Sequence, residues 1–172
     1  MRHFKIVDVK SNGLLGEPFA IAAVILDEFG RIADSFYGRC PIYGDVVPFV
    51  SKHVLPALPS GSEHPSLAHL CRAFWTFHVL TQTQFECEVW ADIPFPVKTR
   101  FFQRCVELDP SREMDLPFPL LDVATAMVVK GWDPMRSRED FCTEDKIAKH
   151  YRDVYASGVC MLRSRGYLGP ST

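Results

Sequence analysis

Residues 4–13, Phe4-Lys5-Ile6-Val7-Asp8-Val9-Lys10-Ser11-Asn12-Gly13, decide how the rest of the chain is read. Phe4 to Val9 is short, apolar and β-branched, the composition of a strand, and Ser11-Asn12-Gly13 ends it with a turn signal. The next run, Phe19 to Leu26 (FAIAAVIL), is too uniformly apolar for a strand with one wet face, so it predicts a central position in a sheet. Asp27-Glu28-Phe29-Gly30-Arg31 predicts a hairpin turn. Ile32 to Arg39 then mixes apolar Ile32 and Phe36 with Asp34 and Ser35, as a more exposed third strand does. Short turns between consecutive strands predict an antiparallel meander.

Beyond the meander the apolar period changes. Asp45 to Leu58 carries Val47, Val50, Val54 and Leu58 at helical spacing, and Ser66 to Thr81 carries Leu67, Leu70, Phe74, Phe77 and His78 on one side. Phe85 to Trp90 predicts a strand, Pro96 to Leu108 a helix, Leu120 to Val123 a short strand, and Ala124 to Lys130 a helix. Thr143 opens a last helix, with Glu144 and Asp145 where the helix dipole favours them and with Ile147, Tyr151, Val154, Gly158 and Met161 on one face. A meander followed by strand–helix crossovers predicts an α/β fold: a mixed sheet, antiparallel then parallel, flanked by helices. That element order is the one a ribonuclease-H-like fold requires.

The bulk numbers fit this class. With 172 residues, 47% hydrophobic and 23% charged, the chain reads as a single globular domain, 1–172. A net charge of −2 argues against a purely electrostatic nucleic-acid binder but not against a metal-dependent nuclease, whose carboxylates lower the charge. Six cysteines lie far apart with no Cys-x-x-Cys pair, and no secretory leader is read ahead of the first strand. Reduced, buried thiols and a cytoplasmic location are therefore expected, without a disulfide framework. His64, His69 and Cys71 lie close together, but no second ligand pair accompanies them, so a zinc site is not expected. No apolar run has the length of a membrane span.

The chemistry-bearing residues are carboxylates. Asp8 stands near the end of the first strand, Asp92 just past the fourth (Val89-Trp90-Ala91-Asp92-Ile93-Pro94), and Asp153 on the last helix ahead of small Ala156, Ser157 and Gly158. Taken singly, each reads as a turn, cap or surface residue. Together, on this topology, they converge at one sheet edge. There they form an oxygen-only ligand set for Mg²⁺ or Mn²⁺, the ions that assist phosphodiester hydrolysis. Other conspicuous residues read as structural. Phe74, Trp75 and Phe77 belong to the core, Asp122 caps a helix, Trp132-Asp133-Pro134 forms a turn, and Lys98, Arg100 and Arg104 form a solvated helix face.

The segments around these aspartates resemble the motifs of the DEDD, or DnaQ-like, 3′–5′ exonuclease superfamily, which includes polymerase proofreading domains, ribonuclease T and oligoribonuclease. Ile6-Val7-Asp8-Val9-Lys10 through Gly13 looks like the first motif, Trp90-Ala91-Asp92 through Pro96 like the second, and Lys149-His150-Tyr151-Arg152-Asp153 through Ser157 like the third. Pro119-Leu120-Leu121-Asp122-Val123 is similar to the strand before the family's later helical stretch. The resemblance implies a 3′–5′ exonuclease acting on single-stranded RNA or DNA 3′ ends. Asp8, Asp92 and Asp153 would be its metal-binding catalytic residues and His150 its general base, and the chain could form a homodimer.

Two departures bear on activity. Lys10 stands where the family has a glutamate, which removes a ligand, repels the metal and offers a partner to Asp8 or Asp153. The family's base positions fall on Ala148 and Lys149, with His150 and Tyr151 beside them on other helix faces. Loss of the base costs about 10²–10⁴-fold, whereas loss of the glutamate threatens metal binding itself. The alternative expectation is therefore an inactive pseudo-exonuclease that serves as a nucleic-acid-binding or protein-interaction module.

Overall fold

The computed structural model describes residues 1–59, 63–142, 147 and 151–169. Strands β1 (His3–Ser11), β2 (Pro18–Asp27) and β3 (Ile32–Arg39) form the expected meander, each pair antiparallel. Every residue of β2 is buried, as its apolar run from Phe19 to Leu26 requires, whereas β3 at the sheet edge is exposed over Ile32–Asp34 and half-buried over most of the rest. The hairpin between them is closed by Asp27, whose Oδ1 accepts from the amides of Phe29 and Arg31, both at 2.9 Å. Helix α1 (Leu67–Phe85) then leads to β4 (Glu88–Ala91), α2 (Val97–Leu108) to β5 (Leu121–Asp122), and α3 (Val123–Val129) is followed by α4 (Arg152–Ser164). Strand order is β3-β2-β1-β4-β5, with β4 parallel to both β1 and β5. The chain is thus α/β, a mixed sheet with helices on both faces, the arrangement a ribonuclease-H-like reading calls for.

Period-2 alternation along β1 separates two cores. Val7 and Val9 face α1 and α2, packing with Leu70, Phe74 and Phe101. Phe4 and Ile6 face α3 and α4, packing with Met127, Val154 and Met161. Fully burying a side chain such as Phe74 stabilises by about 1.5–3 kcal/mol. Helix α4 lies very close to the sheet because Gly158 has no side chain. A methyl added there would meet Leu26 Cδ1 at 2.4 Å and Ile6 Cγ1 at 3.0 Å.

Several boundaries differ from those expected. The predicted helix over Asp45–Leu58 is instead a π turn, Val50–Val54, and a 3-10 turn, Leu55–Ala57. Pro56 cannot donate an amide hydrogen bond and its ring would crowd the preceding helical turn, so four apolar residues at helical spacing do not make an α-helix here. The strand predicted from Phe85 starts at Glu88. Phe85 instead ends α1, which Glu86 closes in a left-handed conformation (φ 50°), its amide donating to Gln82 O. Thr143, Glu144 and Asp145, the expected start of the last helix, lie outside the described residues. Among the described residues no helix is long and apolar enough to cross a membrane.

Candidate functional site

The alternation that buries Phe4 and Ile6 beneath α4 carries Asp8 and Lys10 onto the same face, where β1 runs out toward solvent. Asp92 follows β4 directly, and β4 lies parallel beside β1, so both strands deliver a carboxylate to the same end of the sheet. Asp153 arrives in the first turn of α4, drawn in by the close approach at Gly158. Asp8, Asp92 and Asp153 line one open cleft of about 330 Å³, together with Lys10, Lys98, Arg138 and Ser157.

Each of these carboxylates is engaged by a cation from the chain itself. Lys10 Nζ donates to Asp8 Oδ2 at 2.7 Å and to Asp153 Oδ2 at 3.1 Å, bridging β1 and α4. Lys98, in the first turn of α2, sits 3.3 Å from the other Asp8 oxygen. Arg138 Nη2 donates to Asp92 Oδ1 at 2.7 Å and to Pro134 O at 2.8 Å, and Nη1 donates to Arg136 O. Three aspartates are therefore paired with three cations, and Glu139 also lines the cleft.

The electrostatic consequences follow from that pairing. Burial by itself would push the Asp8 carboxyl up, but Lys10 and Lys98 outweigh it and hold the group below the usual carboxylate range. Burial would lower Lys10, yet Asp8 and then Asp153 outweigh that and raise it above an ordinary lysine. Lys10 is a permanent ammonium here and has no lone pair with which to take a proton from water.

The donor set does not fit the Mg²⁺ or Mn²⁺ that the resemblance implies. Both Asp8 oxygens carry ammonium groups, Asp153 shares one of them, and Asp92 is turned to a guanidinium. Among the described residues no three His, Cys, Asp or Glu side chains converge in a way that could hold a metal ion. A divalent ion entering here would meet the Lys10 ammonium between Asp8 and Asp153.

Lys98 is not the solvated helix residue expected from the sequence. Its side chain is 15% exposed and belongs to the site. Arg100 and Arg104 do stay near the surface, pairing with Glu17 and Glu107. Arg138 was not anticipated, because nothing in Ser137-Arg138-Glu139 marks it locally and only the tertiary fold brings it to Asp92. Its Nε is buried and has no hydrogen-bond partner among the described residues. His150, with Ala148 and Lys149, lies outside the described residues, while Tyr151 packs against the core beside α4.

The structural assignments made from the sequence hold at several positions. Asp122 caps α3, accepting from Ala124 N at 3.0 Å and Thr125 N at 3.2 Å, and also accepts from Ile93 N. Phe74 and Trp75 are in the core and Phe77 packs against it. Cysteines 40, 71, 87, 105, 142 and 160 are free thiols, and all but Cys142 are buried. Compared with known proteins, the sequence matches no family model and no curated protein.

Proposed function

We propose that this chain is a non-hydrolysing protein on the DEDD 3′–5′ exonuclease plan, which holds the end of a single-stranded RNA or DNA in the cleft of Asp8, Asp92 and Asp153. The observation that supports this reading is the Lys10 ammonium bridging Asp8 and Asp153. In two-metal hydrolysis the cations both grip the phosphate and generate the attacking hydroxide. An ammonium does the first and not the second. Lys10, Lys98 and Arg138 give the cleft donors that an incoming phosphate oxygen can share with the aspartates, and as cations they bind the phosphate without supplying a hydroxide. A second reading, residual hydrolysis, draws on the convergence of the three aspartates on one cleft.

The test uses a 3′-labelled single-stranded oligomer with excess protein in Mg²⁺ and in Mn²⁺. Expected are salt-dependent binding and no mononucleotide release above an Asp8→Ala control. Release that Asp8→Ala abolishes overturns the reading in favour of hydrolysis. Failure to bind any oligomer overturns both.

A further inference from the structure

Three of the six cysteines belong to the core on the α1–α2 face of the sheet, away from the aspartate cleft. Cys71 on α1 and Cys105 on α2 are both fully buried, and the Cys105 thiol donates a hydrogen bond to the Cys71 sulfur. Cys40, just past β3, lines an open apolar cavity of about 570 Å³ and lies within electrostatic reach of Cys71. Arg112 places a guanidinium beside this row of sulfurs. Its side chain is 10% exposed, its Nη1 donates to Cys105 O at 3.0 Å, and it lies 5.7 Å from the ring of Trp75, one turn beyond Cys71.

These surroundings make the sulfurs unequal. The hydrogen bond from Cys105, with Arg112 and Arg104 adding to it, outweighs burial and holds Cys71 below the usual thiol range. The same bond, together with burial, pushes Cys105 up. Burial pushes Cys40 up to about 11, so Cys40 stays a neutral thiol. The thiolate is the attacking form of cysteine. Cys71 is therefore the nucleophile, and Cys105, already aimed at it, is the sulfur placed to resolve it. A disulfide forms only between side chains that point at one another, which a direct thiol–thiol hydrogen bond requires. Small core cysteines also pack as plain apolar groups, but packing alone does not call for a buried guanidinium at their side.

We propose that Cys71 and Cys105 are an oxidation-sensitive dithiol that hydrogen peroxide converts to a disulfide, fastening α1 to α2. The Cys71 thiolate attacks one peroxide oxygen and breaks the O–O bond, giving a sulfenic acid on Cys71. The hydroxide that leaves takes the proton that Cys71 gave up and becomes water. The Cys105 sulfur then attacks the Cys71 sulfur and expels a second hydroxide, which takes the Cys105 proton. Two thiols are thereby oxidised and one peroxide is reduced to two waters. The cavity lined by Cys40 brings solvent to the outer end of the row. Because α2 also carries Lys98, the bridge fixes the helix that supplies one cation of the cleft. None of this depends on what the cleft binds.

The folded, reduced protein is exposed to hydrogen peroxide, then denatured, alkylated with N-ethylmaleimide, digested and mapped by mass spectrometry. Expected are a peptide pair joined through Cys71 and Cys105, four alkylated cysteines in place of six, and a return to six after dithiothreitol. The oxidised chain should also have a higher Tm than the reduced one, since the bridge closes a long loop. In Cys105→Ala the sulfenic acid on Cys71 should persist and be trapped by dimedone. Because the bridge is mapped in the unmodified chain, a variant that fails to fold does not decide the matter. Six alkylated cysteines after peroxide overturn the proposal, and so does a bridge from Cys71 to Cys40 or between any other pair.

Discussion

Replacing Lys10 with methionine keeps the aliphatic stem and deletes the ammonium that joins β1 to α4. At 2.7 Å from Asp8, the gross attraction at an effective dielectric of 20 is about 6 kcal/mol. Most of that is offset by the desolvation that methionine no longer suffers. Lys10 is 34% exposed, which screens the pair further, and Lys98 remains 3.3 Å from Asp8 as a second cation. Asp153, at 65% exposure, gains at most ~0.5 kcal/mol from its contact. A net loss of about 2 kcal/mol results, well below the ~3–5 kcal/mol for breaking a fully buried pair. In a chain of 172 residues that is a fall in Tm of ~4–8 °C.

The pH dependence of that loss has a definite sign. Asp8 has a folded pKa depressed below its ordinary 3.8, so its contribution is present above that value and lost as pH falls through the lower, folded pKa. Lys10 has a folded pKa raised above 10.5, so its contribution is full below that value and lost as pH rises beyond it. The stability gap between the unmodified chain and Lys10→Met should therefore be flat from about pH 4 to 10 and close on both sides. Urea denaturation followed by circular dichroism across that range measures it. A methionine variant at least as stable as the parent at pH 7 refutes the view that this ammonium neutralises the cluster.

Lys5 is fully buried, donating to His78 Nδ1 at 3.0 Å and His78 O at 2.9 Å, and burial brings its pKa down from 10.5 to about 8. The unfolded chain thus binds more protons between those values, and the penalty of about 3 kcal/mol is relieved as pH rises from 8 to 10.5. The stability of the parent relative to Lys5→Met should improve by that amount over the window, and parallel urea curves would contradict the assignment. Asp122→Ala should cost about 1–2 kcal/mol through loss of the α3 cap, read as a lower urea midpoint. Gly158→Ala gains ~1 kcal/mol in helix propensity but forces a contact at 2.4 Å on Leu26. Overpacking of ~1–3 kcal/mol should win and lower the Tm, and a higher Tm would show that α4 can move away.

What the sequence revealed and what it hid divide along physical lines. The β1–β3 meander was legible because strand periodicity and turn residues are local, and β2 announced its burial by the unbroken apolar run from Phe19 to Leu26. That Asp8 and Asp92 stand at the same end of the sheet was legible by topology, since parallel β1 and β4 must end side by side. Helical spacing over Asp45–Leu58 misled because periodicity reports a buried face and not whether the backbone can bond, and Pro56 settles that question. Lys98 and Arg138 were hidden for a different reason. A cation's partner is fixed by where the chain folds, and neither residue's neighbours in sequence contain it. Lys5, embedded in an apolar strand, was equally silent about the His78 and Gln82 acceptors that α1 supplies.

Lys10 by itself would not cover the aspartates of the site. A single lysine facing Asp8, Asp92 and Asp153 leaves an excess of negative charge in a partly buried cleft, a field that would still attract a divalent ion. Lys98 engages the Asp8 oxygen that Lys10 leaves open, and Arg138 takes Asp92, the carboxylate that Lys10 does not reach. The three cations thus act together, since each covers an oxygen the others miss. A glutamate placed at position 10 alone would therefore supply only part of a metal site, because Lys98 still faces Asp8 and Arg138 still holds Asp92. A metal-binding variant requires all three cations to be replaced together.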